Sequence, residues 1–221
     1  MNKIMFIICA VFVLIISCKN YTSSEDVRSS EQNLESSEQF VKESEQEIKK
    51  QFNEVLDILE TKDLNALDTT AVEKAIKELK DKIDNSDSKK TSLKTYSEYE
   101  EKIKQIKEKL KDKNELEKKL KDLEDSLKKK KKERKQALEE AKKKFEDFKK
   151  QVDTSTGQTH GDQVQRQGGV GVQAFKCAQE LGFKNMTSGG SDTSNMANEV
   201  ITNSLQKIEE EFKAIEEDKK E

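Results

Sequence analysis

The sequence predicts an all-α protein: an elongated antiparallel helical or coiled-coil bundle behind a flexible lipidated tether. Three observations carry that expectation. Charged residues make up 39% of the chain against 32% apolar, with no Pro and no Trp, a composition of long amphipathic helices rather than of one deep core. Apolar residues recur at three-, four- and seven-residue spacing over most of the length, and no stretch alternates as a strand does. The N-terminus, Lys3 followed by an unbroken apolar run from Ile4 to Ile16 and then Ser17-Cys18, has the layout of a lipoprotein export signal.

The leader comes first. Its apolar run of 13 residues falls short of the roughly 20 that span a bilayer, and Lys19-Asn20-Tyr21-Thr22-Ser23-Ser24-Glu25-Asp26 cannot continue into one. Residues 1–17 therefore read as a signal peptide cleaved before Cys18, whose thiol takes lipid. An ordinary signal with an incidental cysteine is the alternative. Residues 18–30 are polar and Ser-rich without periodicity, a lipidated flexible tether.

Residues 31–152 form the amphipathic helical region. Leu34, Val41, Ile48 and Val55 recur every seven residues, widened by Phe52 and Leu59, and the helix should stop near Asp63-Leu64-Asn65. Thr70-Ala71-Val72-Glu73 opens a second helix as a capping box, with Val72, Ile76, Leu79 and Ile83 on one face and Asn85-Ser86-Asp87-Ser88 closing it. Ser97-Glu98-Tyr99-Glu100 signals a third, carrying Tyr99, Ile103, Ile106 and Leu110. At Asp112-Lys113-Asn114 the spacing breaks, which fits either a hairpin turn or a change of coiled-coil register. The longest helix follows, Glu115 to Val152. Its stripe runs Leu116, Leu120, Leu123, Leu127 and resumes at Ala137, Leu138, Ala141, Phe145, Phe148 and Val152. Between Lys128 and Gln136 there is no apolar residue, so that stretch is expected to have little to pack with.

Residues 153–171 are Gly-, Gln- and Thr-rich and read as a linker. The C-terminal helices occupy 172–221: a short one from Val172 to Leu181 ending at Gly182, and a last one from about Ser194 with Ala197, Ile201, Leu205, Ile208, Phe212 and Ile215 on one face. Stripes this narrow suit helix-on-helix seams, formed within the chain or across a homodimer.

Few groups offer chemistry. Cys9 lies in the leader and Cys18 is the lipid site, leaving Cys177, which reads as a small buried hydrophobe or as half of an intermolecular disulfide. His160 is the only histidine. It stands in the linker with no metal-ligand spacing around it, too mobile a base for a catalytic triad. Gly168-Gly169-Val170-Gly171 lacks the Lys-Ser/Thr of a phosphate loop and reads as a flexible joint. No enzyme activity, metal or cofactor is expected beyond the lipid on Cys18.

The charge pattern is the strongest signal of a partner. From Lys102 to Lys150 there are 21 Lys and Arg against 12 Asp and Glu, whereas Lys19–Glu60 has 5 against 11 and Glu199–Glu221 has 4 against 8. A basic middle lies between acidic ends. Lys128 to Lys135 places seven cations among eight residues, and Lys121, Lys128, Lys135, Lys142 and Lys149 recur every seven, a stripe about eight turns long on one helix. Lys121, Lys128, Lys129, Lys131, Lys132, Arg134, Lys135, Lys142 and Lys149 are thus the candidate site for a polyanion. An exported protein selects sulfated glycosaminoglycan over nucleic acid. The same pattern also fits a solvated coiled-coil face in which Lys pairs with nearby Glu.

Several blocks resemble a known family. The leader with Cys18-Lys19-Asn20-Tyr21, Ile58-Leu59-Glu60-Thr61-Lys62-Asp63-Leu64-Asn65, Thr95-Tyr96-Ser97-Glu98-Tyr99-Glu100-Glu101-Lys102-Ile103, Gly168-Gly169-Val170-Gly171-Val172-Gln173-Ala174 and the ending Glu216-Glu217-Asp218-Lys219-Lys220-Glu221 are similar to the Erp (OspEF-related) surface lipoproteins of Lyme-disease spirochaetes (Borrelia). Phe175 departs from the pattern, where members carry Trp. The resemblance implies a triacylated antigen and virulence-associated lipoprotein (N-acyl and S-diacylglycerol chains, palmitate among them, on Cys18) displayed on the cell outer membrane. Some members are linked to heparan sulfate binding and others to complement proteins. It implies no catalytic residues and transfers no binding motif.

The expected function is therefore host adhesion through heparan sulfate. A complement-binding module and a ligand-free surface coat stand as alternatives, the former using the acidic first helix or the Val172–Leu181 region.

Overall fold

A computed structural model describes residues 27–61, 69–110, 114–155, 169–184, 186 and 196–217. The leader, Cys18, most of the tether and His160 lie outside them. Six helices occupy the described residues: α1 (Val27–Thr61), α2 (Thr69–Asn85), α3 (Leu93–Lys109), α4 (Asn114–Ser155), α5 (Val170–Glu180) and α6 (Met196–Glu217). There is no strand among them, so the protein is all-α. The chain divides into two units, Met1–Ser37 and Glu38–Glu221, and the packing below is that of the second.

Ion pairs and side-chain hydrogen bonds give the helix directions. Lys49, Lys102 and Lys109 meet Glu98 (2.9 Å), Asn53 (2.8 Å) and Glu60 (3.1 Å), so residue numbers rise together along α1 and α3, which run parallel. Between α3 and α4 they run in opposite senses: Lys107 meets Glu124 (2.7 Å) and Lys131 meets Glu100 (2.6 Å). The two helices are therefore antiparallel, the arrangement of a hairpin and not of a register change, and residues 111–113 themselves lie outside the described residues. In the fourth place is α2, with Lys82 on Glu47 of α1 (3.4 Å) and Asp84 accepting from Ser126 of α4.

Two apolar cores result. The first joins Ile48, Phe52, Val55 and Leu59 of α1, Val72, Ile76, Leu79 and Ile83 of α2, Tyr96, Tyr99, Ile103 and Ile106 of α3, and Leu116, Leu120, Leu123 and Leu127 of α4. Residues from all four helices at helical spacing give one continuous seam. Phe52 and Tyr99 meet with ring centroids 5.3 Å apart. The second core takes Leu138, Ala141, Phe145 and Val152 from the far half of α4, with Leu93, Val170, Ala174, Ala178, Leu181, Phe183, Ala197, Val200, Ile201, Ile208 and Ile215. Cys177 packs half-buried against its edge.

Four boundaries differ from the sequence reading. The first helix begins at Val27, so the last four residues of the 18–30 tether are helical. The third begins at Leu93, four residues before the expected capping box. Ser92 is the cap, its hydroxyl accepting the Thr95 N–H at 3.1 Å, because Leu93 and Tyr96, both fully buried, extend the apolar stripe upstream. The linker shrinks at both ends, as α4 runs to Ser155 and α5 begins at Val170. Gly169, Val170 and Gly171 of the glycine cluster form a helix start rather than a flexible joint, and Gly168 lies outside the described residues. Gly169 takes a left-handed φ of 60° at the N-cap, and its carbonyl accepts the Gln173 N–H at 2.7 Å.

Candidate polyanion interface

The apolar gap in α4 coincides with the boundary between the two cores. Residues 128–136 are straight-chain Lys, Glu, Arg and Gln, all good helix formers, but like charges at i,i+4 oppose the helix. The stretch stays helical because it is divided between two environments.

Its inward side chains are used by the fold. Lys130 donates to the Ser86 carbonyl at 2.7 Å. Lys131 donates to Glu100 at 2.6 Å and to the Ser97 hydroxyl at 3.1 Å. Arg134, 1% exposed, is the largest fully buried side chain. Its guanidinium forks onto Glu211 of α6, with Nε 3.1 Å from Oε2 and Nη2 on Oε1, and Nη1 donates to the carbonyls of Leu181 (2.9 Å) and Lys89. The Phe183 ring lies 5.6 Å beneath it. Arg134 and Lys131 thus leave the candidate site, and the expectation that the 128–136 stretch has little to pack with is overturned.

The miss has a readable cause. The stripe at Leu116, Leu120, Leu123 and Leu127 continues in phase through Arg134 to Leu138, Ala141 and Phe145. Phase alone places Arg134 inward, whereas its membership of a cationic run suggested the surface.

The outward side chains make a different surface. Lys128, Lys129 and Lys132 are exposed and make no ion pair or hydrogen bond among the described residues, three charges within about one and a half turns of helix. Lys121 and Lys149 are also exposed, while Lys135 and Lys142 are half-buried. The seven-residue lysine register is thus exposed at its two ends and in Lys128 and half-buried at Lys135 and Lys142, so it is not one continuous open stripe. Glu139 and Glu140 follow the trio on the exposed surface, so the densest positive charge is confined to Lys128–Lys132.

Around the inward end, the titratable groups show what the fold imposes. Partial burial pulls the Asp84 carboxyl upward, but hydrogen bonds from Lys80 and Ser126 outweigh it and hold the group below the usual carboxylate range. The Tyr96 hydroxyl stands beside Thr91 and Ser86 without a well-directed hydrogen bond, and burial pushes its pKa up to about 12. Burial, with Glu45 close by, raises Tyr99 further still.

Chemically, the outward trio is a set of ammonium point charges with no guanidinium among them. Such a surface attracts repeated anionic charge through space and offers no bidentate fork to a particular group. Comparison with protein-family models, with curated proteins and with solved structures finds no match to this chain.

Proposed function

We propose that this chain is a lipid-anchored surface protein, similar to the Erp group, that binds sulfated glycosaminoglycans through Lys128, Lys129 and Lys132, with Lys121 and Lys149 extending the contact. The supporting observation is the trio itself: exposed cations without acidic partners among the described residues, on a helix that directs Lys130, Lys131 and Arg134 into polar contacts. Unpaired cations held close on a rigid helix repel one another, and a polyanion relieves that repulsion while releasing its own counterions. The lipid on Cys18 and display at the cell outer membrane belong to the same proposal and rest on the leader and on the family resemblance.

The test is heparan sulfate binding by protein beginning at Lys19, beside a variant with Lys128, Lys129 and Lys132 changed to Glu. Loss of binding in the variant is expected, and equal binding by both proteins removes the trio from the function.

A second reading has its own observation. On α5, Val172 and Phe175 are 49% and 42% exposed and lie one turn apart, an apolar surface of the kind that docks a host protein such as a complement component. Binding there would depend on Phe175, would survive the lysine changes and would respond only weakly to salt.

A further inference from the structure

The two cores meet at a polar seam, and one side chain ties its segments together. Arg134 of α4 holds Glu211 of α6, the Leu181 carbonyl after α5 and the Lys89 carbonyl between α2 and α3. Glu211 in turn accepts the Leu93 N–H at the start of α3, at 2.9 Å. The turn after α5 lies directly against the loop before α3. At Gly182, φ is 72°, and a Cβ there would stand 3.3 Å from the Lys90 carbonyl oxygen and Cβ. Nearby, Arg134 at 5.6 Å and Lys207 at 6.0 Å both stand over the Phe183 ring, and Lys207 donates to the Lys184 carbonyl at 2.8 Å. At this level α4 itself contributes no apolar side chain, since it has none between Leu127 and Ala137.

We propose that the Arg134–Glu211 pair is a latch. Closed, it makes the two cores one cooperative unit. Opened, it releases α5 and α6 together while α1, α2, α3 and the first half of α4 stay folded.

The physical basis is that a buried ion pair has two good states and no intermediate one. With side-chain exposures of 1% and 15%, both charges have given up most of their water, and their mutual hydrogen bonds, with those to the Leu181 and Lys89 carbonyls and from the Leu93 N–H, compensate. Removing one partner leaves an uncompensated buried charge, which is strongly unfavourable until water reaches it. Water reaches it only by lifting the α5 turn and α6 off the loop before α3. A continuous leucine seam would weaken gradually under the same change.

The experiment is hydrogen exchange on the full chain in detergent, comparing wild type with Arg134→Met and, should that variant not fold, with Glu211→Gln. In wild type, amides of Leu79–Ile83 and of Ile201–Ile208 should open together. In either variant the Ile201–Ile208 amides should exchange about a hundredfold faster or more, and those of Leu79–Ile83 should change by less than about threefold. Equal acceleration of both segments, or no acceleration of either, overturns the latch.

Discussion

Phe52 is fully buried among the first-core residues, its ring against Tyr99. Truncating it to Ala removes the aromatic contact and leaves a cavity, a loss of about 3–5 kcal/mol measurable by urea denaturation. At Gly182 backbone conformation and space coincide. An L side chain there is strained by the left-handed φ, and its Cβ would press on the Lys90 backbone, so Gly182→Ala should cost about 1–2 kcal/mol in the same assay. Tyr96 and Tyr99 set the alkaline limit. Their folded pKa values lie above the ordinary tyrosine value because burial disfavours the phenolate. A raised folded pKa contributes stability that is complete below the unfolded value near 10 and is lost as pH rises toward the folded one. Tyr96 alone accounts for about 3 kcal/mol of this. Helical circular dichroism should therefore fall between about pH 10 and about pH 12, and changing both tyrosines to Phe should move the transition upward.

At the scale of the element, α4 separates what the sequence states from what it conceals. The stripes from Ile48 to Leu127 were legible because a seam four helices wide repeats one period, and each of those residues is buried. The third helix start was misplaced because Ser97-Glu98-Tyr99-Glu100 satisfies a capping pattern while standing inside a helix that Ser92 had already opened. Pattern does not report which of two serines is at the end. The candidate site was legible in its outward half only. A run of lysines shows charge density but not rotation, and rotation sends Lys131 to Glu100 and Arg134 to Glu211. The distinction is testable within one helix. Changing Lys128, Lys129 and Lys132 to Glu should alter stability by less than about 0.5 kcal/mol, as for surface positions. Changing Arg134 to Met should cost about 3–5 kcal/mol. Both are read from thermal or urea unfolding, and equal effects would mean that the two sets do not differ in environment.

At the scale of the molecule, the described chain from Glu38 onward is two apolar cores threaded by α4, with acidic segments to either side of a basic one in sequence. The fold class followed from period and composition, whereas the division into two cores showed only as a gap without apolar residues. Helix packing does not encode the proposed anchoring and host contact. That proposal rests on the leader, on the family resemblance and on three lysines that have no ion-pair partner among the described residues. The measurement that tests this most directly is the salt dependence of heparan sulfate affinity for protein beginning at Lys19, beside the triple Glu variant. If Lys128, Lys129 and Lys132 carry the contact, log affinity should fall against log salt with a slope of about −2 to −3, and binding by the variant should be lost across the series. A shallow slope, or the same slope in both proteins, would contradict the lysine interface.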